Sequence, residues 1–212
     1  QIDSNTLNVI QSTNKAIIDW QSFNIQANEA THFQMPSSSS INLSRVTGGV
    51  GSEIFGSLTS NGTLMLLNPN GILFGANSKI DVGGLIATTS NISNDDFMAG
   101  NYRFDIPASV NRTVINRGTI NVAQGGLLAF VAPGVENSGI ISANLGQVFL
   151  ASGKTFTLDL YGDKLVSLGV DSKILNQVIG PDGQPVSSLV ANGGSIHRSE
   201  EHTSELQSRA YL

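Results

Sequence analysis

The residues that could do chemistry are few, and they lie scattered along the chain. Asp95 and Asp96 are adjacent, and Asp159, Asp163 and Asp171 fall near Lys164 and Lys173. Cleavage of a polysaccharide needs carboxylates that face one another, often with Ca²⁺ and a Lys or Arg base. On a strand, neighbouring residues point to opposite faces, so Asp95 and Asp96 cannot act as a pair there. The Asp159–Lys173 group reads as a solvated loop. Of the three His, only His32 lies clearly inside the domain, which leaves a Ser–His mechanism without a base. Gly48-Gly49-Val50-Gly51 lacks the Lys and the helix that phosphate binding requires. Cysteine is absent, which excludes disulfides and thiolate metal sites. No catalytic residue, metal or cofactor is expected, and the chain reads as a non-enzyme.

A chain without a reactive centre must act through its shape. Its 212 residues are 40% hydrophobic but only 13% charged, about half the usual charged share. Asn, Ser and Thr keep the surface soluble, alongside 23 Gly. Such a composition suits stacked β-strands with tight turns and suits long helices badly. The net charge is −5 and no Lys/Arg run occurs, so nucleic acid is not an expected partner. No apolar run reaches the roughly 18 residues of a membrane span.

Internal repetition supplies the architecture. Asn116, Gly118 and Ile120 recur as Asn137, Gly139 and Ile141, each about 21 positions on. At the same offset, Gly125, Leu127 and Ala129 fall on Gly146, Val148 and Leu150. An earlier copy begins at Gly56-Ser57-Leu58, and a late one spans Ala191 to Ile196. Within each unit apolar residues alternate, as in Leu64 and Leu66, which is the period of a strand with one buried face. Asn and Gly follow each strand, where the chain can turn a corner. Three short strands and three corners use about 20 residues, one coil of a parallel β-helix stacked about 4.8 Å from the next. A propeller would need blades of roughly 40 residues.

Segments outside the repeat have their own readings. Residues 1–45 hold Trp20 and Phe23 and are expected to cap the open end of the helix, ahead of coils over 46–197. Residues 91–113 match no repeat and read as an excursion from the wall. Arg198 to Ser208 resembles a translated sequencing-library adapter, so residues 198–212, with His202 and the junction at His197, are expected to lie outside the fold. Gln1 reads as an internal or processed start. Asn42, Asn61, Asn91 and Asn111 each begin an Asn-X-Ser/Thr triplet.

One motif stands out between two strand-like runs: Asn68-Pro69-Asn70-Gly71-Ile72. Pro69 sets φ for a turn, Asn68 can bond forward to the backbone, and Asn70-Gly71 can supply positive φ. By itself it is a good tight turn. With its neighbours it resembles more: Ile17 to Ile25, Arg45-Val46-Thr47-Gly48-Gly49, Ser52 to Gly56, and Gly84 to Thr89 with Phe97 to Tyr102 are similar, in order, to the secretion domain of two-partner secretion exoproteins, the filamentous haemagglutinin family.

The resemblance, from about residue 7 to residue 196, implies an all-β, right-handed parallel β-helix at the N-terminus of a large exported adhesin, haemolysin or contact-dependent toxin. It implies a partner, an outer-membrane β-barrel transporter with periplasmic binding modules, and a route through the periplasm to the cell surface or medium. Asn68, Pro69, Asn70, Gly71 and Ile72 are then the transporter-recognition residues, with Trp20 and Phe23 as capping residues. The second, upstream Asn-Pro-Asn-Leu motif of some members is lacking, and only Asn42-Leu43 stands in its place. Binding to a host cell is expected in the part of the protein C-terminal to this stretch. Two other readings compete: an adhesin module that itself binds host glycan or protein, and a β-helical polysaccharide lyase.

Overall fold

The computed structural model describes residues 5–160, 166–168, 178–180, 183–186 and 188–199. Parallel strands stack in register into a β-helix of about six turns with three walls. The first wall contains Thr6–Ile10, Ala30–Gln34, 57–60, 79–82, Thr119–Val122, Ile140–Ala143 and Ser195–His197. The second contains Lys15–Trp20, Ile41–Val46, 63–67, 84–88, Leu127–Ala132 and Gln147–Ser152. The third contains Ser52–Ile54, Ile72–Phe74, Thr113–Asn116, Gly134–Asn137 and Val190–Asn192.

The interval of 21 residues read from the repeat separates Asn116 from Asn137. Stacked partners elsewhere are 27 residues apart (His32 and Thr59), 40 apart (Asp81 and Asn121) and 55 apart (Asn137 and Asn192). The walls keep strict register while the loops between them vary in length. Corners repeat because backbone stacks on backbone there. A Cβ on Gly139 would sit 2.2 Å from the Gly118 carbonyl oxygen, and one on Gly194 would sit 2.1 Å from that of Gly139. No side chain fits such a column. At the next corner Gly146 stacks on Gly126, not Gly125, and Leu128 and Phe130 pair with Val148 and Leu150. The repeat therefore slips by one residue at this corner, because the loop before Gln147 is one residue shorter.

Inward side chains form one continuous core from Phe23 and Phe33 through Phe74 and Phe130, whose rings stack at 5.7 Å. At one corner the inward position is Asn. Asn116 donates to Asn137, and Asn137 to Asn192, each at 2.8 Å. The ladder satisfies amides that burial would otherwise penalise.

Two expectations need correction. The coils do not begin at residue 46: Thr6–Ile10 and Lys15–Trp20 already pair in parallel with Ala30–Gln34 and Ile41–Val46. Their unequal loops hide the repeat. At the other end Arg198 and Ser199, placed outside the fold by the sequence reading, bond to Gly146 and Leu145 of the last full coil at 3.0 Å. Residues 200–212 lie outside the described residues, as do Asp163, Lys164, Asp171 and Lys173.

The second wall also departs from expectation, because it is buried on both faces. Leu64, Leu66, Leu85, Leu128 and Phe130 point into the coil, while Leu43, Met65, Ile86, Ala129 and Val131 form a separate outer cluster. Their cover is the chain between Asn91 and Ile106 together with Phe156–Leu158. A short helix, Asn94–Ala99, is capped by Ser93 and ends at Gly100; then Tyr102–Phe104 pairs antiparallel with Phe156–Leu158. Asp95 and Asp96 thus occupy the first turn of a helix, not a strand. There they favour the helix N-terminus.

Residues of the first coils hold this layer down. Lys15 Nζ donates to the Phe97 and Met98 carbonyls at 3.2 and 3.1 Å. Arg45, whose side chain is 13% exposed, donates to Asn91, Ile92 and Asn94 at 2.8–3.0 Å and pairs with Asp19 at 3.2 Å. Lysine keeps the charge and loses the planar fork. Arg45→Lys is accordingly expected to cost about 1–2 kcal/mol, read by chemical denaturation, and to raise amide exchange in residues 91–99 before exchange in the coils.

Candidate functional site

The turn at Asn68–Ile72 carries the chain from the second wall to the third. It closes by a hydrogen bond from Gly71 N to Asn68 O at 3.1 Å, with Pro69 and Asn70 in the central positions. Asn68 Oδ1 also accepts from Asn70 N at 2.9 Å. Gly71 has φ of +100°, whereas Asn70 keeps a negative φ. Of the two positions expected to supply positive φ, only the glycine does so.

Both asparagine amides reach back to the preceding coil. Asn68 Nδ2 donates to Val50 O and Ser52 Oγ, both at 3.0 Å, and Asn70 Nδ2 donates to Gly48 O at 3.0 Å. The backbone completes the clamp: Ser52 N donates to Gly71 O, and Asn68 N to Thr88 O of the following coil, both at 3.0 Å. Asn68 is fully buried and its side chain is spent inside the wall. Ile72 points into the core, while Pro69 and Asn70 are half-buried at the surface. The five residues form one unit, but they present a partner with little more than Pro69 and Asn70.

The loop beneath the turn is where sequence reasoning fell short. Gly48, Val50 and Ser52 accept the asparagine bonds, and Ser52 lies 16 residues before Asn68. No local pattern announces such a contact, which arises when one coil stacks on another. Gly48–Gly51 is thus a receiving loop for side-chain amides, facing the turn with its carbonyls. Trp20 ends the second-wall strand of the first described coil. Its ring meets Phe23 edge-on at 5.2 Å, and Phe23 packs 6.3 Å from Phe33. Phe23 is buried in the core and Trp20 half-buried against it, with its Nε1 buried and unpartnered.

The remaining candidates serve the fold. His32 Nδ1 lies 2.6 Å from Thr59 Oγ1. Among the described residues, no group of three or more His, Asp or Glu could hold a metal ion. The side-chain amide nitrogens of Asn42 and Asn61 are taken up by Gln11 and the Met35 carbonyl, so neither offers a free amide for glycosylation, and Asn91 accepts from Arg45 through its Oδ1.

Stacked parallel coils, a glycine column and an asparagine ladder at the corners, and an Asn-Pro-Asn-Gly turn clamped to the coil before it define the class: a β-solenoid module. Residues 1–184 match the TPS secretion domain, and the chain belongs to that family of two-partner secretion domains, found in large exported proteins and recognised by an outer-membrane transporter. It is 32% identical over 185 residues to a heme/hemopexin-binding protein of Haemophilus influenzae (strain ATCC 51907 / DSM 11121 / KW20 / Rd), an alignment covering 84% of this chain and 20% of that protein. A second heme/hemopexin-binding protein of Haemophilus influenzae is 37% identical over 98 residues, 46% of this chain and 11% of that one. The fold resembles the crystal structure of the HMW1 secretion domain from Haemophilus influenzae, with a TM-score of 0.69 and 28% identity over 93% of this chain and 52% of that chain. The chain therefore spans about a fifth of the length of the first of these relatives.

Proposed function

We propose that this chain is the address and the folding template of a longer surface protein. Periplasmic modules of a dedicated outer-membrane transporter bind it, and the rest of the polypeptide follows to the outside. Its part in this is recognition and nucleation of folding, without catalysis. The observation that carries the reading is the clamped Asn68–Ile72 turn, a rigid feature at the surface of a coil whose register is set on both sides. Rigid turns of this kind present a fixed surface at low entropic cost on binding.

The β-helix also suggests how export is driven. Each coil satisfies its backbone on the one before, so turns can be added in sequence as chain emerges. Burial in each new coil then favours outward movement without a nucleotide at the outer membrane. The exported remainder is proposed to bind a ligand at the cell surface, as the name of the heme/hemopexin-binding relative suggests for that protein.

The test is direct binding. The folded chain, titrated with the isolated periplasmic modules of its cognate transporter, is expected to form a one-to-one complex. Modules from an unrelated transporter serve as the control. Equal binding to both sets, or to neither, contradicts the proposal.

A further inference from the structure

We infer that the modules dock in a groove on the outer face of the third wall, beside the Asn68–Ile72 turn, by receiving one extended segment of the transporter there. This rests on the reading of the preceding subsection and adds to it the surface and its chemistry. The outward positions of the third wall align as Glu53, Leu73, Ile115, Glu136 and Ala191. Ile115 is 2% exposed, and beside it Val178 lies against Gly134. Above it, Ile179, Gly180 and Gly183 of the same segment line one side of a groove. Leu73 is partly exposed at the floor of this groove of about 510 Å³, with Val50, 58% exposed, on its bank.

The other walls make the contrast. One outward column of the first wall reads His32, Thr59, Asp81, Asn121, Ser142 and His197, polar throughout, and the other sets Ala30 and Ile140 singly among Ser57, Lys79, Thr119 and Ser195. The second wall lies under the helix and the antiparallel strands. Only the upper third wall, among the described residues, combines an apolar floor with an open mouth.

Its edges are charged, and oppositely so. Glu53 is exposed on the same column as Leu73. Arg112 lines the other side, and its Nε is buried with no hydrogen-bond acceptor. A buried donor without a partner is costly, and an incoming carboxylate or carbonyl satisfies it. The chemistry therefore fits an extended segment with an apolar side chain for Leu73 and Val50, an acceptor for Arg112 and a cation for Glu53. The Leu73 strand is paired on both sides, and the edge strand Ser52–Ile54 already bonds to Asn24 and Ile25 along its free side, so recognition runs through side chains instead of an added strand. Asn68 and Asn70 set the shape of the rim by fixing the carbonyls of Gly48 and Val50. The motif shapes the site, and its neighbours make the contact.

The experiment is a titration of the full chain with the transporter's periplasmic modules, comparing wild type with Glu53→Lys, Leu73→Arg and, on the polar first wall, Asn121→Arg. Each variant is first shown by thermal unfolding to be folded, and Glu53, being exposed, is the variant least able to disturb the coil. Binding weakened at least tenfold by Glu53→Lys and Leu73→Arg, and unchanged by Asn121→Arg, supports the inference. Wild-type binding with equal affinity in both groove variants overturns it and leaves the secretion role standing, whereas no wild-type binding overturns the secretion role itself. A wild-type dimer that Leu73→Arg dissociates also overturns the inference, because the groove's occupant is then a second copy.

Discussion

Phe156→Ala is expected to cost about 3–5 kcal/mol and to detach the outer layer before the coils. Phe156 is 2% exposed, and its ring stacks on Phe104 at 4.3 Å across the antiparallel pair. It belongs to the cluster that covers Met65, Ile86 and Ala129. Truncation leaves a cavity between two sheets, and the pair that closes the layer is lost. The layer is held otherwise by Ile92, Phe97, Tyr102 and Leu158 packed on the second wall and by polar contacts from Lys15 and Arg45 to one end of it. Amide exchange should therefore rise first in residues 91–106, with the strands at 113–122 still protected. Simultaneous loss of protection in both regions would show that layer and coils form one cooperative unit.

Asn68→Ala is the second large effect, at about 2–4 kcal/mol. The substitution leaves Ser52 Oγ without its donor inside the wall, and Val50 O without its donor and Asn70 N without its acceptor where the turn is part-buried. Asn70→Ala removes a single bond to Gly48 O at a half-buried position and is expected to cost about 1 kcal/mol. Thermal unfolding of the two variants gives the comparison. If Asn68 instead contacts a partner directly, Asn68→Ala will weaken transporter binding without moving the unfolding temperature.

Much of the fold was legible where sequence and stacking share a period. Asn116 and Asn137 repeat because an inward Asn at that corner is satisfied by the Asn above it. Gly118 and Gly139 repeat because no Cβ fits between stacked carbonyls. What was missed depends on chain far away. The apolar runs at 63–67 and 127–132 look like strands with one buried face until Phe104 and Phe156 cover the other. The strands before residue 46 went unseen because loops of unequal length displace them from any fixed interval, although their pairing is as regular as the rest. At the candidate site, the motif itself was visible. Its partners Val50 and Ser52, and the groove with Glu53, Leu73 and Arg112, exist only once coils stack.

The most direct test of the central claim is an export assay. This chain is fused behind a signal peptide and ahead of an unrelated reporter, in cells that make or lack the cognate transporter. Reporter is expected in the medium only when the transporter is present, with periplasmic retention otherwise. Release to the same extent without the transporter, or none with it while the fusion stays folded and intact, would contradict that claim.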